Sequence, residues 1–336
     1  MNEVLKNGPH LSAPSIAIIG SGAVGSYYGA RLVQGGQNVH FLLRSDYEAV
    51  SQNGLTIKSC TGDFDLSPDR LQLYRDVREM PKVDWVIVTL KTTNNDQFER
   101  LIGPLLKDET AILTLQNGLG NEDRLAMLFG RVRVLGGMAF TCINRVGPGL
   151  IDHSAHGLIR LGEFGGGPGA RAAFIAALFK RCRIPCDVLN DLKYGRWEKL
   201  VWNIPFNGLS TILDQNTEQI LSTATGEQLV RDIMSEVIAS ARANDVTMDD
   251  ALIDLNITRT REMAGYRTSM QVDRQMRRDL EIEAIIGEPL RAGISQSVAN
   301  PLIKMLYALL RNVQMGLKPA LPVESTASHQ GVSVKT

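Results

Sequence analysis

Apolar residues in the first half of the chain fall into short runs of strand length, separated by stretches with helical periodicity. Ser15–Gly20 reads SIAIIG, a run without polar alternation that predicts a strand buried on both faces. Small residues through Leu32 and Val33 predict a helix closed by Gly35-Gly36, and Asn38–Leu43 (NVHFLL) predicts a second strand. Strand, helix and strand within about thirty residues form a βαβ unit. Further buried strands are expected at Val83–Leu90, Ala111–Leu115 and Val132–Met138, with helical patterns between them. This alternation predicts a parallel, doubly wound sheet. Gly54–Ser67 and Gly147–Gly162 are punctuated by turn residues and read as hairpin-like additions at the sheet edge. Gly165–Gly169 then reads as a flexible turn before a helix at Ala170–Arg181 and a short strand at Pro185–Leu189.

From Asp191 the pattern changes to helix after helix, as far as about Leu317. The expected fold class is therefore α/β, an N-terminal Rossmann-type doubly wound sheet followed by an all-α C-terminal domain. Residues 1–14 read as a disordered lead-in, 15–190 as the sheet domain and 191–318 as the helical domain. The Pro- and Ser-containing stretch 319–336 reads as a disordered tail.

One segment of the helical half is unusual. Arg196–Ser210 (RWEKLVWNIPFNGLS) is too apolar for a solvated helix, yet it carries Lys199, Asn203 and Asn207. A spacing of four places these side chains on one face, one turn apart. A buried ammonium without a partner costs several kcal/mol or shifts its pKa. Lys199 is then either a lysine that snorkels to water or a proton donor whose amide neighbours hold an anionic substrate. Its place just past the sheet domain favours the second reading, because ligands bind at domain interfaces and beyond the ends of parallel strands.

Composition narrows the function classes. Lys plus Arg and Asp plus Glu both total 36, so the chain has no net charge to favour nucleic acid or an anionic membrane. No apolar run reaches the ~18 residues of a spanning helix, and the N-terminus lacks a signal-peptide core, so a cytoplasmic protein is expected. The cysteines at 60, 142, 182 and 186 read as reduced thiols. Cys182 and Cys186 flank the start of a strand with no histidine close in sequence, and no metal site is expected. The apolar residues of the helical half would serve a core or a homodimer interface equally.

The glycine run Gly20-Ser21-Gly22-Ala23-Val24-Gly25 lies where a dinucleotide fingerprint belongs, after a strand and at the start of a helix. Gly20 permits the tight turn, Gly22 lets a pyrophosphate approach the backbone, and Gly25 lets helix and strand pack closely. The second strand ends Leu43-Arg44-Ser45, where NAD-binding folds usually carry an acid. A guanidinium there, aided by the Ser45 hydroxyl, suits a 2′-phosphate, so NADP (as NADPH) is the expected cofactor. Asp46 comes slightly too late for the ribose and should turn away from the phosphate. Two more strands end in polar residues, at Lys91 and at Gln116-Asn117-Gly118. Asn117 suits the nicotinamide ribose or a substrate, whereas Lys91 reads equally as a cofactor ligand or a solvated lysine.

In order, GSGAVG, LLR, LK, LQNG, WEKLVWNIPFNGLS and YRTSMQVDRQMRRDLEIEAIIGEPL resemble the ketopantoate reductase (2-dehydropantoate 2-reductase) family, from Ser15 to Leu317. The resemblance implies hydride transfer from NADPH to 2-dehydropantoate, giving D-pantoate for pantothenate and coenzyme A synthesis. It implies Lys199 as general acid, Asn203, Asn207 and Ser269 as substrate ligands, and Glu281 close to Lys199, substrate and cofactor. Glu281 would then partly compensate the buried lysine. Glu283 is the alternative, because two residues on a helix turn a side chain by about 200° and only one can face the cleft. The family pattern selects Glu281. The chain departs from that pattern at Leu280, where the family usually has Thr, and in the order SMQVD. These departures leave open a D-2-hydroxyacid dehydrogenase acting on another branched 2-oxo acid. A non-catalytic NADP(H) sensor is the remaining alternative, and it predicts erosion of Lys199, Asn203, Ser269 and Glu281.

Overall fold

The short apolar runs do form strands. The computed structural model describes residues 13–263 and 265–317; the expected lead-in up to residue 12 and the expected tail 319–336 lie outside the described residues. The strands are β1 (Ser15–Ile19), β2 (Asn38–Leu42), β3 (Leu55–Ser59), β4 (Phe64–Leu66) and β5 (Gln72–Tyr74). They continue with β6 (Val83–Val88), β7 (Leu106–Thr114), β8 (Val134–Gly147), β9 (Leu150–Glu163) and β10 (Cys186–Val188). All join one sheet in the order β4-β3-β9-β8-β7-β6-β1-β2-β5, with β10 beside β9. From β8 to β5 every pairing is parallel. Alternate residues of β1 enter different cores: Ile16 and Ile18 pack on one face of the sheet, Ala17 and Ile19 on the other. A strand covered on both faces needs both sets apolar, which is why these runs lack alternation.

The run expected to end at Met138 continues to Gly147. Beyond Met138 only Cys142 is buried, so hydrophobicity no longer marks the strand; antiparallel pairing with β9 carries it on. β3 and β4 form the expected hairpin, and β3 adds in parallel to the lower part of β9.

Four residues after β10 the helical half begins with a long helix, Leu192–Leu213, capped by the Asp191 carboxylate, which accepts from the Lys193 and Tyr194 amides. Pro205 lies inside it without ending it. The helices Ala224–Ala243, Ser269–Gln275 and Pro301–Leu317 pack around it in a separate apolar core. No helix among the described residues is long and apolar enough to cross a membrane.

The two halves are joined by a buried cation. Arg196, on the long helix, donates through Nε to Glu122 Oε1 at 2.8 Å and through Nη1 to the Gln116 carbonyl at 2.6 Å, while Nη2 also meets Glu122. Both side chains are about 5% exposed or less. Gly136 in β8 makes room for the carboxylate, since a Cβ there would stand 2.2 Å from Glu122 Oε1. Removing one member of such a pair strands the other charge in the interior. Glu122→Ala is therefore expected to cost about 3–5 kcal/mol, read as a lower urea midpoint. The Glu122→Leu/Arg196→Met double variant is expected to lose far less, and an equal loss in both would show that the pair is not what stabilises the junction.

Candidate active site

The glycine turn has the shape its sequence implies. Gly20 has φ +106°, and a Cβ there would lie 2.4 Å from the Leu90 amide. A Cβ at Gly25 would meet the Gly20 carbonyl and Thr89 Oγ1 at 2.4 Å, so helix Ala23–Gln34 can sit on β1 and β6 only with glycine there. Gly22 is exposed, with open space where a side chain would be. Ser21 has a buried hydroxyl without a partner among the described residues, and Ala23 and Val24 open a helix whose N-cap, Gly22, supplies no side-chain bond. An open backbone, an unsatisfied hydroxyl and free first-turn amides suit a pyrophosphate. Arg44, past the end of β2, is exposed and forms no ion pair among the described residues.

Lys199 points from the long helix to the end of β7. Its ammonium donates to Asn117 Oδ1 at 3.0 Å and to the Ala139 carbonyl of β8 at 2.7 Å, with the Phe140 ring centroid 5.0 Å away. Burial lowers its pKa most, and the Arg196 charge one turn earlier adds to this. Glu281 opposes both, leaving the group at about 7. A lysine poised there is protonated enough to give a proton near neutrality and acidic enough to release it.

Glu281, expected close to Lys199, makes no direct hydrogen bond or ion pair with it among the described residues. It accepts from Lys91 Nζ at 3.2 Å and from the Thr92 amide at 2.9 Å. Lys91 also donates to Asp273 Oδ2 at 2.5 Å, and Arg278 lies 3.0 Å from the same carboxylate. Partial burial works against the Lys91 ammonium, but Glu281 and Asp273 outweigh it and raise its pKa above the usual lysine value. Lys91 is thus ion-paired, with 43% of its side chain still exposed, and Lys199 meets Glu281 only through the field. Glu281 is buried, whereas Glu283 is half exposed and pairs with Arg291 and Arg311.

Asn203 and Asn207 are buried on the Lys199 face of the helix. Asn207 is partly committed: its amide donates to the Asn203 carbonyl at 3.1 Å, and its oxygen accepts from the Met270 amide at 3.3 Å. That bond holds the start of helix Ser269–Gln275, whose first residue, Ser269, is exposed beside it. Gly118, after Asn117, has φ +82° and packs against Ala284, whose carbonyl accepts from the Leu119 amide at 2.9 Å. Ala284 belongs to a π-helical turn, Glu283–Gly287, and the residue five places on is Pro289, which has no N–H to offer. The free carbonyl therefore serves the Asn117 loop. A 510 Å³ cleft beside it is walled by Thr92, Asn95, Leu119, Asn121 and Glu281, and Lys199 is not on its wall.

Asp273, Thr92, Arg196, Glu122 and the Ala139 carbonyl are the participants that sequence reasoning missed. Asp273 stands in the SMQVD segment without a role, because its partner Lys91 is 182 residues away. Only pairing in three dimensions reveals it.

Comparison with known proteins gives the family. Residues 16–166 match the family described as Ketopantoate reductase PanE/ApbA, and residues 191–314 match its C-terminal part. A 2-dehydropantoate 2-reductase of Nostoc sp. (strain PCC 7120) is 43% identical over 300 residues, 88% of this chain and 93% of that protein. The crystal structure of a 2-dehydropantoate 2-reductase from Geobacter metallireducens GS-15 superimposes with a TM-score of 0.87 at 47% identity, covering 89% of this chain and 99% of that one. A D-mandelate dehydrogenase with NADH and anilino(oxo)acetate superimposes with a TM-score of 0.84 at 25% identity, covering 90% and 99%. With both halves matched, the glycine turn formed and Lys199 set against Asn117, the chain belongs to the ketopantoate reductase family.

Proposed function

We propose that the chain reduces 2-dehydropantoate to D-pantoate with NADPH, in pantothenate and coenzyme A synthesis in the cytoplasm, with Lys199 as the general acid. The observation that carries this reading is Lys199 itself, an ammonium with a pKa of about 7 held by Asn117 at the end of β7. When bound at the glycine turn, the nicotinamide cofactor supplies the hydride. As charge builds on the carbonyl oxygen of the substrate, Lys199 stabilises it and gives up the proton. Asn117 orients the ammonium, and Asn203 with Ser269 offers polar groups to the substrate. Glu281, held by Lys91 and the Thr92 amide, acts at a distance by keeping Lys199 protonated. Arg44 takes the 2′-phosphate of NADPH.

The likeness to D-mandelate dehydrogenase favours one other reading, a D-2-hydroxyacid dehydrogenase with a different side-chain pocket. A sensor without catalysis is disfavoured, because Lys199, Asn203, Ser269 and Glu281 are all in place. Steady-state oxidation of NADPH with 2-dehydropantoate against a panel of 2-oxo acids separates the readings. We expect the highest kcat/KM for 2-dehydropantoate, and a preference for another acid by orders of magnitude would replace that substrate.

Lys199→Ala is expected to lower kcat by about 10²–10⁴-fold, the usual worth of a positioned acid; near-normal turnover would remove Lys199 from the role. The reduction needs the protonated amine. Its kcat/KM should therefore be level below pH of about 7 and fall about tenfold per unit above it. Because Glu281 raises the lysine pKa, Glu281→Gln should move that alkaline limb to lower pH. An unmoved limb would mean that Glu281 does not act on Lys199.

A further inference from the structure

Asp46 sits two residues after Arg44, in the turn that follows β2, and its charge is fully occupied. Arg145, near the tip of the β8–β9 hairpin, donates through Nε to Oδ2 at 2.6 Å and through Nη2 to Oδ1 at 2.5 Å. The Gly149 amide reaches Oδ2 at 3.3 Å and the Ser45 hydroxyl reaches Oδ1 at 2.8 Å. An ionised carboxylate has about four acceptor positions, and these contacts use them all. Asp46 also stands at the N-cap of helix Tyr47–Asn53, where an aspartate would ordinarily bond the helix amides; here it makes no such bond. The carboxylate is turned toward the hairpin, with 8% of its side chain exposed.

We propose that Arg145 determines cofactor choice: by saturating Asp46, it removes the only acid in the Arg44-Ser45-Asp46 turn and leaves Arg44 to a 2′-phosphate. An unengaged Asp46 has two alternatives within reach, since two residues span at most about 7 Å of chain. It can pair with Arg44, in competition with the phosphate, or accept the ribose hydroxyls of a cofactor that lacks one. Either favours NADH over NADPH. The hairpin tip, outside the glycine fingerprint and about a hundred residues from Arg44 in sequence, thereby becomes a specificity element. The proposal rests on the reading that Arg44 binds the 2′-phosphate.

Calorimetric titration of adenosine 2′,5′-bisphosphate and of adenosine 5′-monophosphate tests it without turnover, alongside kcat/KM for NADPH and NADH. In Arg145→Met the preference for the bisphosphate, and for NADPH, should drop by about tenfold or more, the worth of one charged hydrogen bond. Adding Asp46→Asn should restore it, because the competing charge is gone. Should Arg145→Met fail to fold, Arg145→Lys, whose single ammonium cannot fill both oxygens, should show a smaller drop in the same direction. An unchanged ratio, or equal loss for both ligands without rescue by Asp46→Asn, would make Arg145 only an anchor for the hairpin and overturn the proposal. Arg44→Ala separates the two failures. If it abolishes the preference while Arg145→Met does not, only the Arg145 role falls; if it leaves the preference intact, the Arg44 reading falls and the proposal with it.

Discussion

The guanidinium of Arg196 is the fixed point of the site. It binds Glu122 and the Gln116 carbonyl together, so the end of β7 and the first turns of the long helix share one buried cation. Asn117 follows directly from that carbonyl, and Lys199 lies one turn along from the guanidinium. Both ends of the Lys199–Asn117 hydrogen bond are therefore held from the same place. The same charge also disfavours a second cation nearby and so helps to bring the Lys199 pKa down. Position and acidity come from one residue, at the cost of burying an ion pair that hydrophobic side chains could replace with little loss of stability.

Two lysines at this junction meet opposite fates. Lys91 lies between two carboxylates and keeps its charge; among the described residues Lys199 has an amide oxygen, a carbonyl and an aromatic ring, none of them ionised. The difference follows from how the acids are shared. Asp273 and Glu281 both reach Lys91, and among the described residues no carboxylate is in contact with Lys199. A Lys199 paired directly with Glu281 would be a firmer structural element and a weaker acid.

Much of this was legible in the chain. Runs apolar on both faces announced the parallel strands, and the glycine spacing announced the turn, because both are local consequences of steric and solvent demands. The shared face of Lys199, Asn203 and Asn207 followed from helical geometry alone. What could not be read was who binds whom. Lys91 finds Glu281 across 190 residues, and Arg196 finds Glu122 across 74. The continuation of β8 past Met138 was hidden as well, because a strand pairing at the margin of the sheet needs no apolar run. Arg145 and Asp46 belong to this class: each looks like an ordinary surface charge until the hairpin folds over the turn.

The π-helical turn at Glu283–Gly287 bears on how such a site is inherited. A wide turn holds one residue more than the α-helical path, so it resembles the trace of a single insertion accommodated without breaking the helix. Deleting one residue there would let the turn tighten to the α-helical path, so that Glu281 keeps Lys91 and Thr92 and Leu290 stays in the core. The same deletion in an ordinary α-helical turn would rotate its two ends by about 100° relative to each other. The wide turn is thus the place where this helix can change its length at least cost to the site.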